Sequence, residues 1–379
     1  MYLTIFRSIS ASCTLNLEKS VESQNFLWNQ WISENLCNSC SIRVRGALNC
    51  LTVSIFAGTH QPEAGAMISQ RFFQTLSNRF LQFPMTIPTH GLSFDVECYY
   101  QILARDYLDK TIQPQDEVVR NTDYLLETLE QHDVKGTFFT LGNIAEHFPQ
   151  LMRRIAESGH EIGVHGYSHR YINRMTKSSF AEELKRGIGA LEEASGIKVT
   201  GHRAPAFSIS RDSMWATDVM LELGLKYDSS IFPISGSRYG ISDAPFVPHR
   251  LDNGLIEIPP TALRRIGKNL PAAGGGYFRL FPYQYTRWAF HACEKENRAA
   301  ITYFHPYEFE LQNADTAGYT HGTQWRMQLK VAKINRIQNT GRGQAMRMKF
   351  EKLLQDFRFQ PINDIASQLA DLSKESNKS

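Results

Sequence analysis

The chain has 379 residues, of which 42% are hydrophobic and 21% are charged, with a formal net charge of +3 at pH 7. This size and composition suit one large or two ordinary globular domains and exclude a disordered or fibrous protein. The balanced charge argues against a nucleic-acid binder, in which basic residues should cluster on one face. No apolar run approaches the roughly 18 residues of a transmembrane helix.

Residues 1–84 carry only weak signals. The pattern favours a strand over 51–57 and a short helix over 68–81. Two explanations are open: this stretch is a poorly defined N-terminal extension, or Met85 is the true start. Cys37 and Cys40 form a Cys-x-x-Cys pair, but without a second pair this is a weak sign of zinc or redox chemistry.

Residues 85–320 show a regular alternation of strands and helices. The strands are predicted at 92–96, 136–141, 161–165, 199–203, 227–231, 255–258 and 300–304, and the helices at 121–132, 149–159, 178–194, 213–223 and 282–297. Short strands that alternate with helices indicate βα units and a parallel sheet. We therefore predict an α/β fold, a distorted (β/α) barrel of about seven strands. Residues 321–379 are basic and helical in pattern, broken near Asn339, and are expected to pack on the barrel as a C-terminal extension.

Ionisable side chains recur where the predicted strands end, which is where the active sites of (β/α) barrels lie. They are Asp95 and Glu97, His165 and His169, Arg203, Asp228, and His305. Each has an ordinary structural explanation by itself. Five strand ends with such residues in one barrel favour a functional site.

The spacing of His165 and His169 predicts two imidazoles on one side of a helical turn, close enough to chelate one metal ion. Asp95 and Glu97 are two residues apart on a strand, so both can face the same cavity. Two carboxylates and two histidines suit an open zinc-type site with three protein ligands. The alternative is a pair of surface histidines and two carboxylates that cap a loop.

Arg203 and Asp228 need partners of opposite charge if they are buried. They either form a structural salt bridge with each other, or each orients a neighbouring catalytic group. His305, followed by Pro306, is either part of the site or a satisfied core histidine.

In this order the motifs resemble those of the polysaccharide deacetylases, the NodB-homology branch of the carbohydrate esterases. They look most like the bacterial subgroup associated with exopolysaccharide export and exosortase systems. The resemblance covers about residues 88–365. It rests on Ser93-Phe-Asp95-Val-Glu97, His165-Gly-Tyr-Ser-His169, Arg203-Ala-Pro205, Tyr227-Asp228-Ser-Ser, Gly274-Gly-Gly-Tyr277-Phe-Arg279 and Phe304-His305-Pro-Tyr-Glu308. This chain departs from most members at Glu97, where an aspartate is usual, and at His202, where the subgroup more often has an aromatic residue.

The resemblance implies a role for each matching residue. The implied metal ligands are Glu97, His165 and His169, with Zn²⁺ as the expected ion and Co²⁺ or Ni²⁺ as alternatives. Asp95 would be the general base and His305 the general acid, with Arg203 orienting Asp95 and Asp228 holding the tautomer of His305. The substrate groove would be lined by Pro205, and sugar rings would stack on Tyr99, Trp215 and Tyr277, for which core or rim packing is the alternative.

The implied reaction is the metal-dependent removal of N-acetyl groups from a sugar polymer or oligosaccharide, in exopolysaccharide biosynthesis. Two alternatives are open: hydrolysis of another non-peptide C–N bond in a small amide, and a non-catalytic carbohydrate-binding relative, which would be expected to lack Asp95 or His305. No secretory signal can be read, and six cysteines are too few for a disulfide scaffold. We therefore expect a cytoplasmic location, with peripheral association with an export machine left open. The sequence does not indicate an oligomeric state.

Overall fold

The structure is a computed structural model and describes residues 4–7, 12–17, 41–47, 50–56, 88–236, 240–272 and 274–376. The chain divides into two compact units, Met1–Thr86 and Ile87–Ser379. The predicted helix over 68–81 and the cysteine pair at 37 and 40 lie outside the described residues. In the described part of the chain, no helix is long and apolar enough to cross a bilayer.

The first unit contains an antiparallel sheet of four strands. They are β1 (Thr4–Arg7), β2 (Ser12–Leu17), β3 (Ser41–Ala47) and β4 (Cys50–Phe56). Their order in the sheet is β1-β2-β4-β3, and β3 and β4 form a hairpin in which Ala47 pairs with Cys50. The strand predicted over 51–57 corresponds to β4.

The second unit is built on a nine-stranded sheet that forms a distorted (β/α) barrel, as the sequence predicts. Its strands are β5 (His90–Val96), β6 (Thr137–Thr140), β7 (Glu161–Val164), β8 (Gly201–His202), β9 (Tyr227–Asp228), β10 (His249–Arg250), β11 (Ile256–Glu257), β14 (Ile301–Phe304) and β15 (Phe359–Gln360). The order is β10-β11-β9-β8-β7-β6-β5-β14, and β15 also pairs with β5. Every pair is parallel except β10 with β11.

The segment after β11 connects the two ends of this sheet. Thr261 donates its backbone N–H to the carbonyl of Ile301 at 3.1 Å, and Ile301 donates its N–H to Oγ1 of Thr261 at 2.6 Å. These bonds join the β11 end of the sheet to β14 without a regular strand pair. A separate hairpin follows, made of β12 (Ala262–Arg265) and β13 (Lys268–Pro271).

Twelve helices are described in the second unit. They are α1 (Tyr99–Leu108), α2 (Glu117–Gln131), α3 (Gly142–His147), α4 (Pro149–Glu157), α5 (Lys177–Ser195), α6 (Trp215–Glu222), α7 (Gly275–Leu280), α8 (Tyr283–Lys295), α9 (Ala317–Thr320), α10 (Trp325–Asn339), α11 (Gln344–Asp356) and α12 (Ile362–Ser376). Short 3₁₀ turns lie at Ile172–Arg174, Pro205–Phe207, Arg211–Ser213 and Pro306–Phe309.

The alternation of side chains along the strands separates two buried layers. Phe94 stacks on Phe138 at 4.8 Å and meets Phe350 of α11 at 5.9 Å, so these rings lie between sheet and helices. Asp95 follows Phe94 in β5 and Phe139 follows Phe138 in β6, so both face the opposite side of the sheet, the barrel interior. All seven residues of β5 are buried, as expected for a parallel strand that is covered on both faces.

All seven predicted strands and all five predicted helices have counterparts within a few residues. The helix predicted over 178–194 is α5, which begins with a capping box between Thr176 and Ser179 and ends at Gly196 with φ 73°. The helices α1, α3, α7 and α9 were not predicted. Cys98, the residue before α1, makes no side-chain cap, so the chain carries no start signal for this helix.

The C-terminal segment is helical and broken after Asn339, as predicted, but it also contributes a strand. Phe359 and Gln360 pair with His90 and Gly91 of β5. Helix α12 follows and packs its Ile362 and Ile365 beside Gly91, where an added Cβ would lie 2.7 Å and 3.0 Å from their Cδ1 atoms. The last part of the chain therefore belongs to the barrel sheet as well as to its surface.

Candidate active site

The functional residues predicted at 95, 97, 165, 169, 203 and 305 converge at one end of the barrel. The strands that carry them are parallel, so their C-terminal ends meet at the same edge. Asp95 lies in β5, Glu97 directly follows it, and His305 directly follows β14. Five of the six side chains are at most 5% exposed, and His305 is also partly buried.

His165 and His169 approach each other through a loop, which corrects the predicted helical turn. Gly166 has φ 76° and His169 has φ 61°, so the chain twice enters the left-handed region. Such a conformation is natural for glycine and strained for histidine. Glu183 of α5 supports the loop by accepting hydrogen bonds from the backbone N–H and Oγ of Ser168, both at 2.7 Å. The two imidazole centroids lie 5.3 Å apart as a result.

Glu97, His165 and His169 form a buried cluster in which one donor atom from each residue lies within 4.8 Å of the others. Oε2 of Glu97 is 2.7 Å from Nε2 of His169 and 3.7 Å from Nε2 of His165. Nδ1 of His165 is 2.8 Å from the carbonyl oxygen of Arg203. Because a carbonyl only accepts, Nδ1 of His165 donates this bond and its Nε2 keeps a free lone pair that faces Glu97.

Three observations fit a divalent metal ion at this cluster. Oε2 of Glu97 is buried without a hydrogen-bond partner, although Nε2 of His169 is so close. Burial lowers the pKa of His169 against the opposing effect of Glu97, which favours the neutral imidazole that binds metals. Burial would raise the pKa of Glu97, but the neighbouring His169, His165 and His305 hold it well below its usual value, so the carboxylate is ionised. Two imidazoles and one carboxylate are a donor set typical of catalytic zinc sites.

Asp95 is held by Arg203, as the resemblance implied. Nη1 of Arg203 donates to Oδ1 of Asp95 at 2.8 Å and to Oγ of Ser93 at 2.7 Å. The remaining guanidinium nitrogens donate to Ser229, from Nε to its carbonyl at 3.0 Å and from Nη2 to its Oγ at 2.9 Å. The guanidinium also lies over the ring of Phe139, 4.3 Å from its centroid. The carboxylate of Asp95 is therefore fixed by a fully buried cation that follows β8, two strands beyond β6, the neighbour of β5, in the sheet order.

His305 lies between two carboxylates. Its Nε2 is 3.3 Å from Oε1 of Glu97, and its Nδ1 is 3.2 Å from Oε2 of Glu308. Burial lowers the pKa of His305, but the hydrogen bond to Glu308 and the charges of Glu97, Glu308 and Asp95 outweigh this and raise it to about 9. The ring of Tyr307 stacks on the imidazole at 4.9 Å.

Glu308 is held on its other side by Arg279, whose Nε is 3.4 Å from Oε1. Oε2 of Glu308 also accepts the backbone N–H of His305 at 3.0 Å, which locks the turn after β14. Gly275 of α7 closes over this pair: a Cβ there would lie 2.9 Å from Oε2 of Glu308 and 3.0 Å from Nδ1 of His305. Glycine is therefore required for the close approach of α7 to His305.

Asp228 does not occupy its predicted place. Its Oδ1 is 2.8 Å from Nδ1 of His202 and accepts from Oγ of Ser230 at 2.5 Å, whereas the carboxylate beside His305 is Glu308. The alternative prediction of a salt bridge with Arg203 is also wrong, since Arg203 pairs with Asp95. The reason is strand alternation: His202 and Asp228 are register partners whose side chains share one face of the sheet, and Arg203 comes one residue later.

Of the four predicted sugar-binding residues, Tyr99 is a core residue and Trp215 is partly buried against the core. Tyr99 is only 4% exposed, donates its hydroxyl to Oδ1 of Asn335 at 2.9 Å and packs beside Tyr307. Trp215 packs edge to face on Phe180 of α5 at 5.9 Å. Phe180 also contacts His202, which places Trp215 in the helix layer on the other side of β8 from Arg203.

The other two remain compatible with a groove. Pro205 begins the 3₁₀ turn after Arg203 and lies beside the histidine loop, with its Cγ 3.6 Å from where a Cβ of Gly166 would be. Tyr277 is half-buried in α7, two residues from Gly275 and 6.1 Å from the ring of Phe281.

Sequence reasoning missed Glu308 and Arg279 as members of the site. The signal for Glu308 was present, because Glu three residues after His305, with Pro306 between them, is the spacing of a capping box. Arg279 gave no comparable signal, since its contact with Glu308 depends on how α7 packs.

Comparison with known proteins identifies two consecutive regions. Residues 109–227 match the family described as "Polysaccharide deacetylase", and residues 229–367 match a "Domain of unknown function (DUF3473)". His165, His169 and Arg203 fall in the first region, and His305 in the second.

Curated relatives include a peptidoglycan-N-acetylglucosamine deacetylase of Bacillus cereus, 36% identical over 171 residues, which are 42% of this chain and 62% of that protein. A peptidoglycan deacetylase of Helicobacter pylori is 31% identical over 28% of this chain and 36% of its own length. The chain thus spans less than two thirds of either relative.

Solved structures that resemble the chain include Puue allantoinase, with 14% identity, a TM-score of 0.48 and coverage of 76% of this chain and 91% of that one. A family 4 carbohydrate esterase of Streptomyces lividans in complex with acetate has 22% identity, a TM-score of 0.30 and coverage of 37% and 61%. Over residues 109–227 the chain matches the polysaccharide deacetylase family, and the match to DUF3473 follows directly over residues 229–367.

Proposed function

We propose that this protein is a metal-dependent hydrolase that removes N-acetyl groups from a polysaccharide or oligosaccharide. The observation that carries the proposal is the buried Glu97–His165–His169 cluster, with the Arg203–Asp95 pair and His305 beside it. Relatives named as peptidoglycan deacetylases support the reaction class. We further propose exopolysaccharide biosynthesis as the setting, on the resemblance of the motifs alone.

The proposed metal ligands are Glu97, His165 and His169, with Zn²⁺ as the ion that best suits this donor set and Co²⁺ or Ni²⁺ as substitutes. When bound, such an ion polarises the acetamide carbonyl and lowers the pKa of water. The hydrogen bond from Nδ1 of His165 to the carbonyl of Arg203 keeps its Nε2 available as a ligand atom.

Asp95 is the proposed general base, which takes a proton from the attacking water. Arg203 positions this carboxylate through a hydrogen bond of 2.8 Å, and Asp95 is only 2% exposed. Ser93 and Ser229 fix the guanidinium in turn. The role of Arg203 is therefore to position the base.

His305 is the proposed general acid. An amide cannot release its amine without a proton. His305 can donate that proton when its imidazole is protonated, and its Nε2 faces Glu97 of the proposed metal site. The C–N bond of the acetamide breaks, the amine leaves with the proton of His305, and acetate is the other product. Glu308 takes the place that the resemblance assigned to Asp228, because it is the carboxylate beside Nδ1.

The test is acetate release from a panel of N-acetylated oligosaccharides and small acetamides, with metal analysis on the same preparation. We expect release from the oligosaccharides, its loss on chelation, and its recovery on adding Zn²⁺ or Co²⁺. Asp95→Asn should abolish release while the metal content is kept, and His321→Ala, at an exposed histidine, serves as the matched control. Release that survives complete removal of metal would contradict the proposal. Activity on small amides alone would favour the alternative of a small-amide hydrolase. Binding of a glycan without any hydrolysis would favour the alternative of a carbohydrate-binding protein.

A further inference from the structure

Charge is distributed very unevenly along this chain. Residues 316–350 contain seven Lys and Arg and not one Asp or Glu. Without these seven, the chain has 34 basic and 38 acidic residues, a net charge of −4. The small overall charge therefore hides a strongly cationic segment, which includes the whole of α10.

Helix α10 has a narrow buried side and a wide exposed one. Val331 is its one fully buried residue and packs in a small cluster with Tyr99 and Leu103 of α1. Trp325 and Leu329, four residues apart, lie exposed on the same side of the helix. Its four cations, Arg326, Lys330, Lys333 and Arg336, are all exposed. In the described part of the chain, no ion pair involves any of these four.

The exposed apolar side chains continue from α10 onto its neighbours. Lys349 of α11 donates to the carbonyl of Phe281 at 2.8 Å, and Nη1 of Arg279 donates to the carbonyl of Ile337 at 2.8 Å. These bonds link the C-terminal end of α7 to the end of α10 and to the middle of α11. Six large apolar side chains on these helices or directly after α7 are between 41% and 64% exposed, namely Leu280, Phe281, Trp325, Leu329, Ile337 and Met348. We call these six and the four cations of α10 the basic-apolar surface.

We propose that the basic-apolar surface docks the protein on an anionic phospholipid bilayer. A helix with exposed Trp and Leu among Lys and Arg, and with no acidic residue, has the composition of a helix that lies in the membrane interface. Cations next to an anionic leaflet are attracted by its negative surface potential. An acidic glycan or nucleic acid would satisfy the cations but would gain little from the aliphatic side chains of Leu280, Leu329, Ile337 and Met348. The aliphatic exposure therefore favours lipid.

Docking at this surface would bring the candidate active site close to the membrane. Arg279 links the carbonyls at the end of α10 to Glu308, and Glu308 contacts His305. The inference rests only on the surface and its charge, so it does not depend on the proposed deacetylation.

The test is co-sedimentation of the full chain with vesicles that contain phosphatidylglycerol, compared with vesicles of pure phosphatidylcholine. We expect binding to the anionic vesicles, weak binding to the neutral ones, and loss of binding at high salt. The triple variant Lys330→Gln/Lys333→Gln/Arg336→Gln should lower the partition coefficient roughly a hundredfold. The control Lys185→Gln/Lys198→Gln/Lys226→Gln removes the same charge from exposed lysines elsewhere and should bind as the unchanged protein does.

A second variant tests the apolar part. Trp325→Ser/Leu329→Ser should weaken binding about thirtyfold, because two exposed apolar side chains can no longer enter the lipid. Equal binding to neutral and anionic vesicles, or equal loss in the triple variant and its control, would overturn the proposal. A different outcome would assign the surface to a soluble acidic polymer: dextran sulfate fully prevents vesicle binding, and Trp325→Ser/Leu329→Ser binds as the unchanged protein does. Acetate release from a soluble oligosaccharide, measured on the same variants, should be unchanged, so docking and catalysis can fail separately.

Discussion

Replacement of Arg203 by Met should be among the most destabilising single changes in the barrel. The guanidinium and the carboxylate of Asp95 lie 2.8 Å apart, and their side chains are 0% and 3% exposed. At this distance the Coulomb attraction is about 6 kcal/mol with an effective dielectric constant of about 20. Removal of one partner of a buried pair typically costs about 3–5 kcal/mol, because the other charge stays buried without compensation. We therefore expect Arg203→Met to lower the free energy of unfolding by about 3–5 kcal/mol.

A double-mutant cycle separates this pair from general damage to the core. Asp95→Asn should also destabilise strongly, whereas Arg203→Met with Asp95→Asn should cost less than the two single changes together, by about 2 kcal/mol. Arg203→Lys keeps the charge but loses the planar fork that bonds Ser93 and Ser229, so its effect should be intermediate.

The assay is urea denaturation of the unchanged protein and these four variants, with acetate release measured in parallel. The exposed pair Arg186–Glu146, at 3.2 Å with side chains 60% and 44% exposed, is the matched control and should show a coupling below about 1 kcal/mol. Costs at Arg203 and Asp95 that simply add, within about 0.5 kcal/mol, would refute the argument that the two buried charges compensate each other.

Three further changes test other parts of the site and its surroundings. His169→Ala should abolish stoichiometric Zn²⁺ binding in metal analysis, because only two ligands would remain; unchanged metal content would exclude His169 as a ligand. Glu308→Gln should lower kcat by up to about a hundredfold at normal metal content, because His305 loses the carboxylate beside Nδ1. Glu308→Asp keeps a carboxylate and should restore part of kcat. If kcat of Glu308→Gln stays within twofold of that of the unchanged protein, Glu308 does not have this role. Burial raises the pKa of Glu117 from 4.5 to about 7, so its contribution to stability is complete below pH 4.5 and is lost as the pH rises towards 7. Glu117→Gln should remove about 3 kcal/mol of this pH dependence in denaturation measured across that range, and equal pH dependence in both proteins would show that another group titrates.

Much of the barrel could be read from the sequence because local rules set it. Hydrophobic runs such as 92–96 and the capping signals around α5 specify strands and helices through contacts between near neighbours in the chain. Alternation of these elements then implies a parallel sheet, whose C-terminal edge gathers the residues at strand ends. The convergence of Glu97, His165, His169 and His305 followed from this rule alone.

The partners of the charged residues depended on the tertiary structure. The sequence could not show that Asp228 faces His202 on the helix side of the sheet, because β8 and β9 are only two residues long and their pleat is not visible in the pattern. It also could not show that Glu308 replaces Asp228 beside His305, since that depends on the turn after β14 and on the packing of α7. Tyr99 looked equally suited to a groove and to a core, and only the position of α10 over α1 decided for the core.

By itself, then, the order of residues determined the fold class, the end of the barrel that carries the site, and the donor atoms available for a metal, because each follows from interactions over a few residues or from the parallel direction of the strands. The packing of distant segments decided the rest. It decided which carboxylate neutralises which cation, which aromatic rings are buried, and which face of the basic helix α10 stays exposed. These outcomes depend on contacts between residues far apart in the chain, such as Tyr99 and Asn335, which are separated by 236 positions, and no local pattern records that information.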